Sequence, residues 1–228
     1  MKIPRIITCT WVLLMTMMFA PNLSAQTFEY PEYQGDEYEP FPVNIQGKQP
    51  TITDFANTFL NLKKEEKFFN NVYKDWNNYL KKKPLSKNVS IILDVKNGYM
   101  KYNIINPVGI FNPEDINPEN INPEDTIFME MCFWNCADGK HKLVAANTVW
   151  VMDNDYGWDD FIGVYFYLYD DKKRTMRMIL PEDIGALFDG DGLSVFFLPR
   201  KGKNIHVSAA GGGDRWDEIL IWDGYKFD

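Results

Sequence analysis

The sequence predicts an α+β fold: one N-terminal amphipathic helix packed on a mostly antiparallel, hairpin-rich meander sheet. Three observations carry this expectation. Between Ile52 and Leu80, apolar residues recur at steps of three and four, the spacing of one helix face. Beyond Pro84 the period falls to two, the spacing of strands. The period-two runs are joined by short turn-forming sequences such as Asn97-Gly98 and Asp138-Gly139, which suit hairpins rather than crossovers.

Taken in order, residues 1–25 read as a cleavable secretory signal. Lys2 and Arg5 form the positive start, Ile6–Ala20 is apolar, and Leu23-Ser24-Ala25 places a small residue before Gln26. The expected product is soluble, secreted or periplasmic, and begins at Gln26. An uncleaved anchor is the competing reading; the apolar run falls short of the ~20 residues of a membrane span, and threonines interrupt it. Leu23-Ser24-Ala25 resembles the first residues of a bacterial lipoprotein signal, but Gln26 stands where a cysteine would be lipidated.

Residues 26–50 mix Pro, Gly, Tyr and acidic residues without a period and read as an extended arm, either loose or docked through its aromatics. A single domain is expected over 51–228. Its helix, about 52–82, presents Ile52, Phe55, Phe59, Leu62, Phe69, Tyr73, Trp76 and Leu80 on one face. Thr51 or Thr53 caps it, Lys81-Lys82-Lys83 suit its C-terminal dipole, and Pro84 ends it. Unbroken it would be ~45 Å long, so a break near 61–64 is expected.

The strands follow as hairpins. Val89–Val95 and Tyr99–Ile105 flank Asn97-Gly98; Ile127–Cys136 and Lys142–Met152 flank Asp138-Gly139; Phe161–Tyr169 and Thr175–Leu180 flank Asp170-Asp171-Lys172-Lys173. Pro181-Glu182-Asp183 opens a helical turn that Asp189-Gly190 is expected to end. Leu193–Leu198, Asn204–Ala209 and Glu218–Trp222 complete the sheet. The loop at 106–126 contains three copies of a pentapeptide, Phe111-Asn112-Pro113-Glu114-Asp115, Ile116-Asn117-Pro118-Glu119-Asn120 and Ile121-Asn122-Pro123-Glu124-Asp125. A proline in every copy forbids helix and ladder alike, so the repeat reads as an exposed spacer.

Charge narrows the function classes. The chain has 24 basic and 32 acidic residues; loss of Lys2 and Arg5 with the signal leaves 22 basic residues and a net charge of −10. That balance argues against nucleic acid and against anionic membrane surfaces, both of which require a positive footprint.

Chemistry-bearing clusters are few. In Asp153-Asn154-Asp155-Tyr156-Gly157-Trp158-Asp159-Asp160, the carboxylates of Asp153, Asp155 and Asp159 partly resemble a calcium loop. The sixth-position glycine and twelfth-position glutamate of such loops are absent, and an ordinary turn explains the composition equally well. Cys132 and Cys136 invite a disulfide in an oxidising compartment. Residues four apart on a continuous strand stand ~13 Å apart, so a bond requires a bulge or turn at Phe133–Asn135. With His141 they form C-x3-C-x4-H, short of the four ligands of structural zinc. The bland reading is a half-buried strand with Glu130, Cys132, Trp134 and Cys136 on one face. Gly211-Gly212-Gly213-Asp214 lacks the lysine of a phosphate loop. His206 and Ser208 share a strand face without a nucleophile elbow.

Two functional readings follow. The first is an exported, non-enzymatic binding or structural module for a glycan or protein ligand, with Tyr156, Trp158, Trp216 and Trp222 as the contact residues. The alternative is a periplasmic or secreted hydrolase acting through carboxylates. No cofactor other than calcium is suggested.

Overall fold

A computed structural model describes residues 30–31, 35, 38–107, 125–152, 155–157, 163–186, 193–210 and 217–228, with the backbone alone at 152, 155–157, 193 and 209–210. The signal segment, residues 26–29, 32–34 and 36–37 of the arm, and the pentapeptide repeat up to residue 124 lie outside the described residues.

The helical run forms two helices, α1 (Ile52–Lys63) and α2 (Lys67–Leu80). Thr51 is the N-cap of α1, and the Asp54 carboxylate reaches back to its N–H at 2.8 Å and its hydroxyl at 2.9 Å. Between the helices, the Asn70 side chain donates to the Lys64 carbonyl at 2.7 Å, satisfying a group freed where α1 ends. Trp76 Nε1 donates to Asn57 Oδ1 at 2.6 Å, and Phe59 meets Phe69 edge-on, so polar and apolar contacts both tie the helices.

Among the described residues, eight strands form a large antiparallel sheet. They are β1 (Phe41–Pro42), β2 (Val89–Asp94), β3 (Tyr99–Ile105), β4 (Thr126–Asn135), β5 (His141–Met152), β6 (Asp155–Gly157), β7 (Gly163–Asp170) and β8 (Thr175–Ile179). Their order is β1-β8-β7-β5-β4-β3-β2. Strand β5 is long enough that β7 pairs with His141–Thr148 and β6 with Trp150–Met152. The end of the arm joins this sheet, since Phe41 pairs with Met176 and Pro42 with Thr175. Earlier in the arm Tyr30 is buried, and its hydroxyl donates to the Tyr225 carbonyl at 3.0 Å.

The last three strands do not extend the meander. Strands β9 (Leu193–Phe197), β10 (Asn204–Ala210) and β11 (Asp217–Ile221) form a separate antiparallel sheet in the order β11-β10-β9. The reason lies in the faces of the large sheet. Ile127, Met129 and Met131 of β4, with Val144 and Ala146 of β5, pack against α1 and α2. The intervening Cys132, Trp134, Leu143 and Ala145 pack against Phe196, Val207, Leu220 and Phe227. Two apolar faces need two covers, and the result is three layers: helices, large sheet, small sheet.

This corrects the half-buried reading of β4. Glu130, Cys132, Trp134 and Cys136 do share a direction, but that side is as buried as the other. The helical turn is also shorter than expected. It spans Pro181–Ile184 and ends at Gly185, in the left-handed region at φ 66°. A Cβ at Gly185 would overlap the Phe227 carbonyl oxygen, and the Phe227 N–H donates to the Ile184 carbonyl at 2.7 Å, so the turn docks the C-terminal segment directly.

Candidate functional site

Period-two alternation places opposite chemistry on the two faces of the small sheet. Ile205, Val207 and Leu220 turn inward and are buried. Ile219 and Ile221 turn outward and remain 49% and 54% exposed. Across the ladder, Ile219 stands opposite His206, which stands opposite Phe197, while Ile221 stands opposite Asn204. Phe197 leans on Phe128 with ring centroids 6.1 Å apart, beside Val149 and Val195. The aliphatic patch on β11 therefore continues into an aromatic one at the junction of the sheets. Its charged rim holds Asp217, which accepts a hydrogen bond from the Ser208 hydroxyl; Glu218, opposite Val207, belongs to the other face. Lys101 Nζ lies 3.6 Å above the Phe128 ring.

A second cluster gathers at the turn between β4 and β5. The Asp138 carboxylate accepts from the backbone N–H of Lys140 at 2.8 Å and of His141 at 3.0 Å, and meets His141 Nδ1 at 2.5 Å. His141 Nε2 faces Asp170 Oδ2 at 3.9 Å. Burial raises the Asp138 carboxyl, but the hydrogen bonds from His141 and Lys140 outweigh it and hold the group below the usual range. Tyr30 lies edge-on to the His141 ring, and its hydroxyl is 3.7 Å from Cys136 Sγ. A thiol beside a His-Asp pair suggests nucleophilic chemistry, yet the geometry opposes it. The imidazole nitrogens face carboxylates on both sides, and burial pushes the Cys136 thiol up to about 11, away from the reactive thiolate.

The buried carboxylates of Glu130 and Asp75 are occupied with structure. Glu130 accepts from Tyr99 Oη at 2.7 Å, Lys101 Nζ at 3.1 Å and the Leu198 N–H at 3.0 Å. Asp75 accepts from the Ser86 N–H at 2.8 Å and Tyr102 Oη at 3.2 Å, joining α2 to the large sheet.

The residues expected at a ligand surface fare differently. Trp222 is buried, with its ring against Trp134 and Phe227 and its Nε1 3.4 Å from the Asn135 carbonyl, so it presents no face to a ligand. Tyr156 and Asp155 lie on β6, of which the backbone alone is described. Trp158, Trp216, Asp153 and Asp159 lie outside the described residues, and with them most of the calcium loop. Cys132 and Cys136 are free, buried thiols on and beyond the end of an unbroken strand, without the bulge a disulfide would require. Ile219 and Ile221 were legible only as strand residues, because the sequence does not say which face of a strand will be covered.

No family model, curated protein or solved structure matches this chain significantly. The functional reading rests on the chain's own surface.

Proposed function

We propose that this chain is an exported, non-enzymatic binding module whose ligand is a protein segment, engaged on the outer face of the small sheet. The observation that carries this reading is the outward pair Ile219 and Ile221, two half-exposed β-branched side chains at alternate positions of one strand. Covering them removes apolar area from water, worth about 1 kcal/mol for each half-exposed isoleucine. Asp217 at the rim favours a ligand that sets a basic residue beside its aliphatic ones. Export rests on Lys2, Arg5 and the apolar run that follows them.

A protein ligand fits better than a glycan. Glycan stacking uses aromatic rings, whereas the exposed side chains that carry this reading, Ile219 and Ile221, are aliphatic. A carboxylate hydrolase has less support, because three buried carboxylates, Glu130, Asp54 and Asp75, are each held by structural hydrogen bonds.

Selection of displayed random peptides on the chain from Gln26 onward, with a glycan panel run in parallel, tests the reading. Peptides enriched on the native chain and lost on the Ile219→Asp/Ile221→Asp variant are the expected result. Glycan retention that survives in that variant would overturn it.

A further inference from the structure

The two edges of the large sheet are treated differently. At one edge, β1 is two residues long and ends on Pro42, which has no N–H to offer, so that edge is blunt. At the other, β2 is a six-residue strand, Val89-Ser90-Ile91-Ile92-Leu93-Asp94, with no proline and a single charge at its end. Such an edge is a ready template for another strand.

The hydrogen-bond phase of β2 is readable. The Ile105 N–H donates to the Asn88 carbonyl at 3.1 Å, while the Val89 N–H turns away from β3 to the Ser86 carbonyl at 3.3 Å. Alternation along an antiparallel ladder then directs the backbone groups of Asn88, Ser90, Ile92 and Asp94 to β3, and those of Val89, Ile91 and Leu93 outward. Among the described residues nothing bonds the outward groups of Ile91 and Leu93. Ile92 and Val95 are 42% and 49% exposed at this edge.

We propose that β2 pairs antiparallel with β2 of a second copy of this chain, about a twofold axis at Ile91. Outward groups must meet outward groups, so Ile91 falls opposite Ile91 of the second copy, and Val89 opposite Leu93. In that register the strand is its own complement. Ser90 lies opposite Ile92 on the exposed face, and Asp94, which its own Arg200 holds at 3.0 Å, lies opposite Asn88, so no two charged residues stand directly opposite each other. The partly buried Val89, Ile91 and Leu93, already packed on the helical layer, gain aliphatic neighbours from the second copy. The two sheets become one continuous sheet. This pairing lies on the large sheet and does not depend on the ligand reading of Ile219 and Ile221.

Sedimentation of the chain from Gln26 onward over a dilution series tests the proposal. A dimer that dissociates on dilution is expected. Ile92→Lys, at an exposed position, should give a monomer with an unchanged circular dichroism spectrum, whereas Ile219→Lys should remain dimeric. Mixing Ser90→Cys with Ile92→Cys chains under mild oxidation should yield a mixed disulfide dimer, because these positions face each other across a non-hydrogen-bonded pair. A native chain that stays monomeric throughout, a dimer that survives Ile92→Lys, or a dimer that forms no mixed disulfide would each overturn it.

Discussion

Glu130 and Asn147 stand opposite each other across β4 and β5, and together they bond the free edge of β9. Glu130 Oε2 accepts from the Leu198 N–H at 3.0 Å, and the Asn147 side-chain amide donates to the Phe196 carbonyl. Among the described strands only β10 pairs with β9, and it takes the odd-numbered side. One acceptor and one donor raised from the face of the large sheet serve the even-numbered side. The β9 edge of the small sheet is thus held without leaving these two backbone groups unpaired in the core.

Replacing this pair should loosen the small sheet. Glu130→Ala leaves the Tyr99 hydroxyl and the Leu198 N–H without their buried partner and should cost about 3–5 kcal/mol. Asn147→Ala should cost about 1–3 kcal/mol. Because both side chains hold one edge, the double variant should lose less than the sum of the two. Urea unfolding of the four chains measures this, and a Glu130→Ala cost below about 1 kcal/mol would remove the docking role assigned here.

The thiols should be silent while the protein is folded. Burial raises Cys132 well above its ordinary value and Cys136 to about 11. At pH 8 roughly one Cys136 in a thousand is then a thiolate. Alkylation followed by mass spectrometry should label neither cysteine in the native chain and both in urea. Rapid labelling of native Cys136 would show that Tyr30 does not cover it.

The turn between β4 and β5 should give stability a dependence on acid. Asp138 has its folded-state carboxyl held low, so its contribution is complete above the unfolded carboxylate range and is lost as pH falls through the folded value. Asp138→Asn should therefore melt below the native chain at neutral pH, and the difference should close as pH drops past about 4. Melting scans at several pH values check the sign. A gap that widens in acid would mean that the hydrogen bonds from His141 and Lys140 do not hold the carboxylate in the folded state.

The candidate site was only partly legible beforehand. From the sequence, Trp222 reads as a ligand contact together with Trp216, as an aromatic side chain suited to a binding surface. It is buried because Phe227 folds back to meet it and Gly185 admits the Phe227 backbone, a contact between residues far apart in sequence. Glu130 looked like one polar residue on a half-exposed face; its three partners come from β3 and from the end of β9.

Local spacing by itself determined where Ile52–Leu80 is helical, where Asn97-Gly98 and Asp138-Gly139 turn the chain, and which residues alternate along each strand. Those features depend on backbone geometry and on neighbours a few residues apart, which a linear sequence displays. Tertiary structure alone decided that β9, β10 and β11 leave the meander to cover its second face. It also decided that Glu130 and Asn147 bond a strand edge, and that Ile219 and Ile221 face outward. Each of these depends on which surface meets which across the core, and periodicity marks a face as apolar without naming what will cover it.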